Sequence, residues 1–364
     1  MSTTAAQLIA QHPTNPVDDP DYHSSSSKAW TKKYPPIAKL NVHTRMQGGG
    51  VHADFESAFY EEFEDDSLRL SEPANPPNYR QWRLNSEEDG INWFHTEISN
   101  IVLAAWARYP ALRQTSHEKP LSETNHTQTV DVSYSVQYGT QRLPVAIGEF
   151  KRGLIQPRQW QAGALYTTQL SLSQELRGYA DIYNCPQIFC FDNKNLLLLQ
   201  FRAKTKSDIK SAKCEVDCWV LPRINPLGSQ LRYALYRFLA QGFRRCQAMT
   251  AGDVRIYRLP PHVREFYNGR PLWKIDGNLY SKPWGHCRRV DANSGAFYWT
   301  DAEGSNALLD ENGLVVVDTQ GFWQSEQQQA EEAEEAQRAA LWESQQQHIE
   351  GSGSAEMEDL YGPG

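Results

Sequence analysis

The sequence predicts a mixed α/β chain of the α+β kind, in which a helix, a β-hairpin, a second helix and two further strands form the core and an antiparallel β-rich region follows. Three observations predict it. Residues 127–138 and 143–151 alternate apolar with polar side chains around a Gly139-Thr140 turn, the period of half-buried strands. Stretches of helical periodicity flank them, from Ser86 to Ala105 and from Pro157 to Asn184. Past residue 254, Asp-Gly, Glu-Gly and Asn-Gly steps divide short aromatic runs, as tight hairpin turns do.

Residues 1–36 contain Ser, Pro and His without periodicity and are expected to be disordered, with SSSSK at 24–28 as a linker signal. Residues 39–50 read as a short ordered arm broken by Gly48-Gly49-Gly50. FESAFYEEFEDDSLRL, 55–70, has the pattern of an acidic amphipathic helix docked through Phe55, Phe59 and Phe63, and a Pro/Asn-rich loop follows at 71–78. Ser86 caps the next helix, with Asp89 in capping-box position. Ile91, Phe94, Ile98, Ile101, Val102 and Ala105 make its apolar face, and Glu97 lies at the edge of that face. Residues 111–126 read as a polar loop with no strand candidate. After the hairpin, Pro157 sits where a first-turn proline belongs, and a break in the helix is expected near 170–173. Gln187 to Phe191, Leu196 to Arg202 and Cys214 to Leu221 are the next strands.

From about Pro226 to Met249, Leu227, Leu231, Leu235, Phe238, Leu239 and Phe243 define an amphipathic helix. The organisation read from these elements is a disordered segment at 1–36, a core at 37–250, a small β-rich subdomain at 251–324 and an acidic helical tail at 325–364.

The net charge of −8 is unevenly spread: residues 326–364 hold ten acids and one base, Arg338, so residues 1–325 carry +1. Within them, 223–289 holds thirteen bases against Asp253, Glu265 and Asp276. A basic region beside an acidic hairpin end suits a polyanion. With no apolar run near 18 residues and no secretory signal at its start, the chain is read as intracellular, nuclear or cytoplasmic, with no membrane partner. The six cysteines are too scattered for a disulfide scaffold, and Cys214 and Cys218 lack the second Cys/His pair of a zinc site. A Gly-rich phosphate loop and a GxSxG elbow are both absent, which sets aside P-loop ATPases and α/β-hydrolases.

The chemistry gathers at the open end of the hairpin. If the chain folds back about residue 140, residue i lies opposite residue 280 − i, and Asp131 lands beside Glu149. Directly opposed residues have Cβ atoms about 5 Å apart. Lys151 is two residues past Glu149 and points to the same face. Magnesium takes oxygen ligands and is commonly held by one or two carboxylates beside a phosphate. A neighbouring ammonium can orient an attacking water or offset charge building on the phosphorus.

Asp131, seventeen intervening residues, then Glu149-Phe150-Lys151 resembles the signature of the PD-(D/E)xK nuclease superfamily, with Val130 where a proline is usual. The element order over 86–202 is similar to the restriction-endonuclease-like αβββαβ core of that superfamily, except that its first strand has no candidate. Either an edge strand comes from elsewhere, or residues 127–138 are themselves the first strand and Asp131 loses its role. The run from Lys151 to Ala203 also resembles fungal proteins, which adds no chemistry.

The resemblance implies a metal-dependent nuclease. Asp131, Glu149 and the Phe150 carbonyl would hold Mg2+ (or Mn2+), Lys151 would act on the water, and Glu97 would supply an acid from the preceding helix. Superfamily members place a Gln and a Tyr on the following helix; Gln174 and Tyr179 are the candidates, one residue off that spacing. Arg152 joins them as a nucleic-acid contact, and Arg232, Arg237, Arg244 and Arg245 are the expected phosphate contacts of the later helix. The expected partner is nucleic acid, DNA ahead of RNA, with a homodimer and a protein partner for the acidic tail as further expectations. The rival reading is a catalytically inactive nuclease-fold module that binds nucleic acid or a protein.

Overall fold

Strands with apolar side chains on both faces must be covered on both sides, and that requirement sets the architecture. The computed structural model describes residues 3–20, 28–60, 64–107, 112–118, 128–251, 256, 259, 262–291, 296–318 and 338. Seven strands form one mixed sheet: β1 (Leu40–Val42), β2 (Arg113–Glu118), β3 (Val130–Tyr138), β4 (Gln141–Phe150), β5 (Gln187–Phe191), β6 (Asn195–Phe201) and β7 (Val216–Pro222). Their order across the sheet is β1-β7-β6-β5-β4-β3-β2. The β4–β5 and β1–β7 pairs are parallel and the others antiparallel.

The helices are α1 (Ala5–Ile9), α2 (Glu64–Leu70), α3 (Glu87–Phe94), α4 (Asn100–Ala104), α5 (Pro157–Gln161), α6 (Thr168–Ile182) and α7 (Leu231–Met249), with a wide π turn, His95–Ser99, joining α3 to α4. One face of the sheet, through Val132, Tyr134, Val136, Phe150 and Phe189, packs against α1, α3, α4 and α7. The other, through Ile147, Ile188, Cys190 and Leu197, packs against α5 and α6. The chain is therefore a helix–sheet–helix sandwich, α+β as expected.

The hairpin obeys the expected register at its open end: Val132 faces Gly148 and Tyr134 faces Ala146. A bulge after Tyr134 puts Ser135 opposite Pro144, so the half nearer the turn is shifted by one residue. Pro144, which has no N–H to donate, sits at the bulge where pairing is broken anyway. Gly139 turns the chain with a φ of 52°.

Several expectations are corrected. Residues 113–118, read as part of a polar loop, form the edge strand β2 against β3. Val130–Tyr138 thus supplies the second strand of a three-stranded antiparallel unit, and the element order becomes α3/α4, β2, β3, β4, α5/α6, β5. An edge strand pairs through its backbone and needs no apolar run, which is why RQTSHE gave no signal. In the N-terminal 36 residues, expected to be disordered, the described parts include α1, whose Thr4 and Gln7 form a capping box, and a 3₁₀ turn at Ala29–Lys33. The acidic stretch at 55–70 is helical in its described residues only over α2; Phe55 and Phe59 instead dock on Trp219 from a turn. The helix after the hairpin breaks at 162–167, not 170–173, with Gly163 and Thr167 both at positive φ. Among the described residues no helix is long and apolar enough to cross a membrane. The C-terminal part contains a three-stranded antiparallel sheet and a two-stranded one around Trp273 and Trp299, while the helix expected at 325–349 lies outside the described residues apart from Arg338.

The largest correction concerns α7. Arg232, Arg237, Arg244 and Arg245 are all buried. Arg232 donates to the carbonyls of Glu97 and Leu8, Arg237 to Glu56 and the Tyr60 carbonyl, Arg244 to Asp66, and Arg245 to the Pro144 carbonyl. The helix is enclosed on all sides, so its polar face meets protein acceptors and not phosphates.

Arg232 and Glu97, 3.9 Å apart at the carboxylate and both buried, form a matched pair. Removing one member of such a pair typically costs about 3–5 kcal/mol. Arg232→Met is expected to lower the urea unfolding midpoint accordingly. An unchanged midpoint with a shallower salt dependence of DNA binding would return Arg232 to a phosphate-contact role.

Candidate active site

Asp131 on β3 and Glu149 on β4 stand at the open end of the hairpin, on the α6 side of the sheet, and Lys151 follows just beyond β4. The Oδ2 atom of Asp131 accepts the Phe150 N–H at 2.6 Å, which ties the two strands together at this end. Glu149 is 2% exposed. Its Oε1 atom is 2.5 Å from the Lys151 ammonium and 3.0 Å from that of Lys28. Its Oε2 atom is buried and has no hydrogen-bond partner among the described residues.

The helix behind the hairpin contributes Glu175, fully buried, whose Oε1 lies 2.7 Å from Lys28 and 3.3 Å from Lys151. Tyr179, one turn on, accepts from Lys28 at 2.8 Å. Two carboxylates and two ammoniums thus alternate in a quartet whose members other than the half-exposed Lys28 are buried, with Asp131 beside it. Among the described residues no three His, Cys, Asp or Glu side chains stand close enough to hold a metal between them.

The electrostatics follow from burial. Removal from water is the largest influence on Glu149 and pushes its carboxyl up to about 8; Lys151 and Lys28 pull the other way, and Asp131 and Glu175 add to the rise. For Lys28 and Lys151 burial opposes the charge, but Glu149 and Glu175 more than offset it, and both ammoniums titrate above their ordinary range. Tyr179 is also raised, by burial first and the Glu149 charge second. Glu87, the first residue of α3, is raised by burial, and it senses Lys151, Asp131, Lys28 and Glu175. It therefore lies within the electrostatic field of the quartet.

The structure brings together Asp131, Glu149, Lys151 and Tyr179 of the expected set. Glu97 is not among them. It is buried in the π turn, where its Oε1 accepts from Asn15 at 2.7 Å and Trp82 at 2.8 Å. The extra residue of the π turn rotates Glu97 toward Arg232 of α7, and Glu87 is the acid of this helix that senses the charges of the site. Gln174 donates to the Tyr34 carbonyl at 2.8 Å, fastening the N-terminal arm, and the site position belongs to its neighbour Glu175. Arg152 donates to the carbonyls of Asn85 and Leu84 and staples the loop before α3.

Glu175, Lys28 and Glu87 were missed. Glu175 and Tyr179 are four apart and share a helix face, a spacing visible in the sequence once the helix is placed. Lys28 had no local signal, because it is carried in by chain 121 residues from Glu149. No protein-family model, curated protein or solved structure matches the chain.

Between the ordinary carboxyl value of 4.5 and about 8 the folded chain keeps a proton on Glu149 that the unfolded chain has released. The stabilisation this gives is complete below 4.5 and is lost as the pH rises through about 8, at no more than about 1.4 kcal/mol per pH unit. Urea unfolding of wild type and Glu149→Gln at pH 5, 7 and 9 should therefore show the wild type losing ground to the variant with each step. A constant difference would place the Glu149 carboxyl in its ordinary range.

Proposed function

We propose that the chain is a metal-dependent nuclease of the PD-(D/E)xK type, hydrolysing phosphodiester bonds of nucleic acid. The observation that carries this reading is the convergence of Asp131, Glu149 and Lys151 at one end of adjacent strands, with Glu149 Oε2 buried and aimed at no partner among the described residues. The three antiparallel strands β2 to β4, flanked by α3/α4 and α6 and extended by the parallel β5, support a restriction-endonuclease-like core.

A divalent cation fits this donor set. An orphaned carboxylate oxygen in a dry site requires a positive or donating group. Magnesium or manganese would be held by Asp131, Glu149 and the Phe150 carbonyl, and when bound it supplies charge neutralisation for the phosphate and acidity for a coordinated water. The protein's own residues do the rest. Lys151, anchored by Glu149 and Glu175, presents its ammonium at a fixed position, where it orients the attacking water and offsets the charge that develops on the phosphoryl oxygens. Glu175 holds Lys151 in place and keeps it charged. Tyr179 closes the side of the site lined by α6. With the α7 arginines internal, the exposed Lys32 and Lys33, four and five residues past Lys28, are the candidates for contacts to the nucleic-acid backbone.

A second reading is favoured by one observation. Lys28 already neutralises Glu149 and Glu175, as in an inactive nuclease-fold module whose acids are structural counterions. Cleavage of plasmid and single-stranded substrates in Mg2+ or Mn2+ separates the two. Glu149→Gln, Asp131→Asn and Lys151→Met are each expected to lower cleavage by about 100-fold or more, with nucleic-acid binding retained in Glu149→Gln. No cleavage by the wild type, together with no metal binding by calorimetry, would leave the binding module.

A further inference from the structure

We infer that Lys28 is a built-in competitor for the metal: its ammonium lies between Glu149 and Glu175 and neutralises the Glu149 carboxylate that the metal would need, so a divalent ion bound at Glu149 displaces it. The inference rests on the nuclease reading of the site and concerns how that site is loaded.

The position is defined by the contacts of one positive charge. The Lys28 ammonium lies 2.7 Å from Glu175 Oε1, 3.0 Å from Glu149 Oε1 and 2.8 Å from the Tyr179 hydroxyl. The ammonium donates to Glu149 and the Tyr179 hydroxyl and is ion-paired with Glu175, so its charge is held from three sides. The carboxylates it bridges are 0% and 2% exposed, whereas the Lys28 side chain is 40% exposed. The lysine therefore reaches in from the solvent side, along an approach that a small cation would also use.

The chain that delivers Lys28 is built against α6. Its carbonyl accepts from the N–H and hydroxyl of Thr31, which fixes the backbone in a tight turn. Trp30 packs edge-on against Tyr179, with ring centroids 5.1 Å apart, and Tyr34 donates to Asp181 at 3.2 Å. Gln174 and Ser173 hold the Tyr34 carbonyl and the Ile37 N–H. Gly178 makes the fit: a Cβ there would lie 2.5 Å from the Trp30 ring and 2.9 Å from that of Tyr34. The anchors all lie at residues 30–37, so the Lys28 side chain can swing out while the arm stays docked.

Charge counting gives the competition. With both carboxyls ionised, Lys28 and Lys151 already neutralise Glu149 and Glu175, and a divalent ion added to that quartet meets two ammoniums at short range. With Lys28 withdrawn, two carboxylates face one ammonium and the ion is drawn in. A phosphate arriving at the mouth offers the displaced lysine a new partner, so substrate and metal would load together.

The test is Mn2+ titration by calorimetry and by paramagnetic resonance on the full chain, with no substrate present. Lys28→Ala and Lys28→Gln should each bind Mn2+ roughly tenfold or more tighter than wild type, within the usual span of coupling between ligands. Lys28→Arg, which keeps the charge, should bind no tighter than wild type, and Glu175→Gln should bind more weakly than Lys28→Ala. Thermal unfolding of each variant checks that it is folded. Equal or weaker Mn2+ binding by both Lys28→Ala and Lys28→Gln would overturn the competition and leave the metal reading standing. No Mn2+ binding by wild type, Lys28→Ala or Lys28→Gln would overturn both, and Lys28 would be a permanent counterion.

Discussion

Two carboxylates removed from water have to be matched by positive charge, and most of what surrounds the candidate site follows from that constraint. An ionised carboxylate without a partner in a dry interior is prohibitively costly. Glu149 and Glu175 satisfy the constraint jointly, by sharing Lys151 from the same strand end and Lys28 from the far N-terminal arm. The sharing fixes the distance between β4 and α6, because neither carboxylate can retreat without abandoning both ammoniums. It also explains why a segment with no hydrophobic periodicity is nonetheless docked: the arm brings the fourth charge, and aromatic packing of Trp30 and Tyr34 on α6 holds it there.

Much of this was legible in the sequence where the signal was local. The alternation in 130–136, the Gly139 turn and the i-to-(280 − i) register placed Asp131, Glu149 and Lys151 together, and the structure has that register where it matters. The Ser86 cap and its Asp89 partner were likewise readable, because a capping box is a four-residue motif. The buried strands β5 and β6 announced themselves as continuous apolar runs.

What was not legible depends on long-range pairing or on small phase errors. The strand β2 is polar because backbone pairing with β3 is enough for an edge. Glu97 was misplaced because a π turn adds a residue to one winding and changes which way the next side chains point. Gln174 and Glu175 are adjacent, about 100° apart on the helix, so a one-residue error exchanges an arm-fastening contact for a site carboxylate. The arginines of α7 look like a solvated stripe on any helical projection. Only the layers packed around the helix reveal that the stripe is inside, with Asp66, Glu56 and main-chain carbonyls as its partners.

That internal stripe changes how the molecule looks from a distance. The segment richest in base spends Arg232, Arg237, Arg244 and Arg245 on buried acceptors, and Arg288 is paired with Asp318. Charges matched by an acid at short range, as for Arg232, Arg237, Arg244 and Arg288, project little field outward, so the formal +10 of residues 223–289 overstates the field this segment projects. If a polyanion is the ligand, its encounter would be steered less, and would respond less to ionic strength, than that charge count implies. Selection among ligands of such a site would then be exercised after contact, by the buried charges of the site itself.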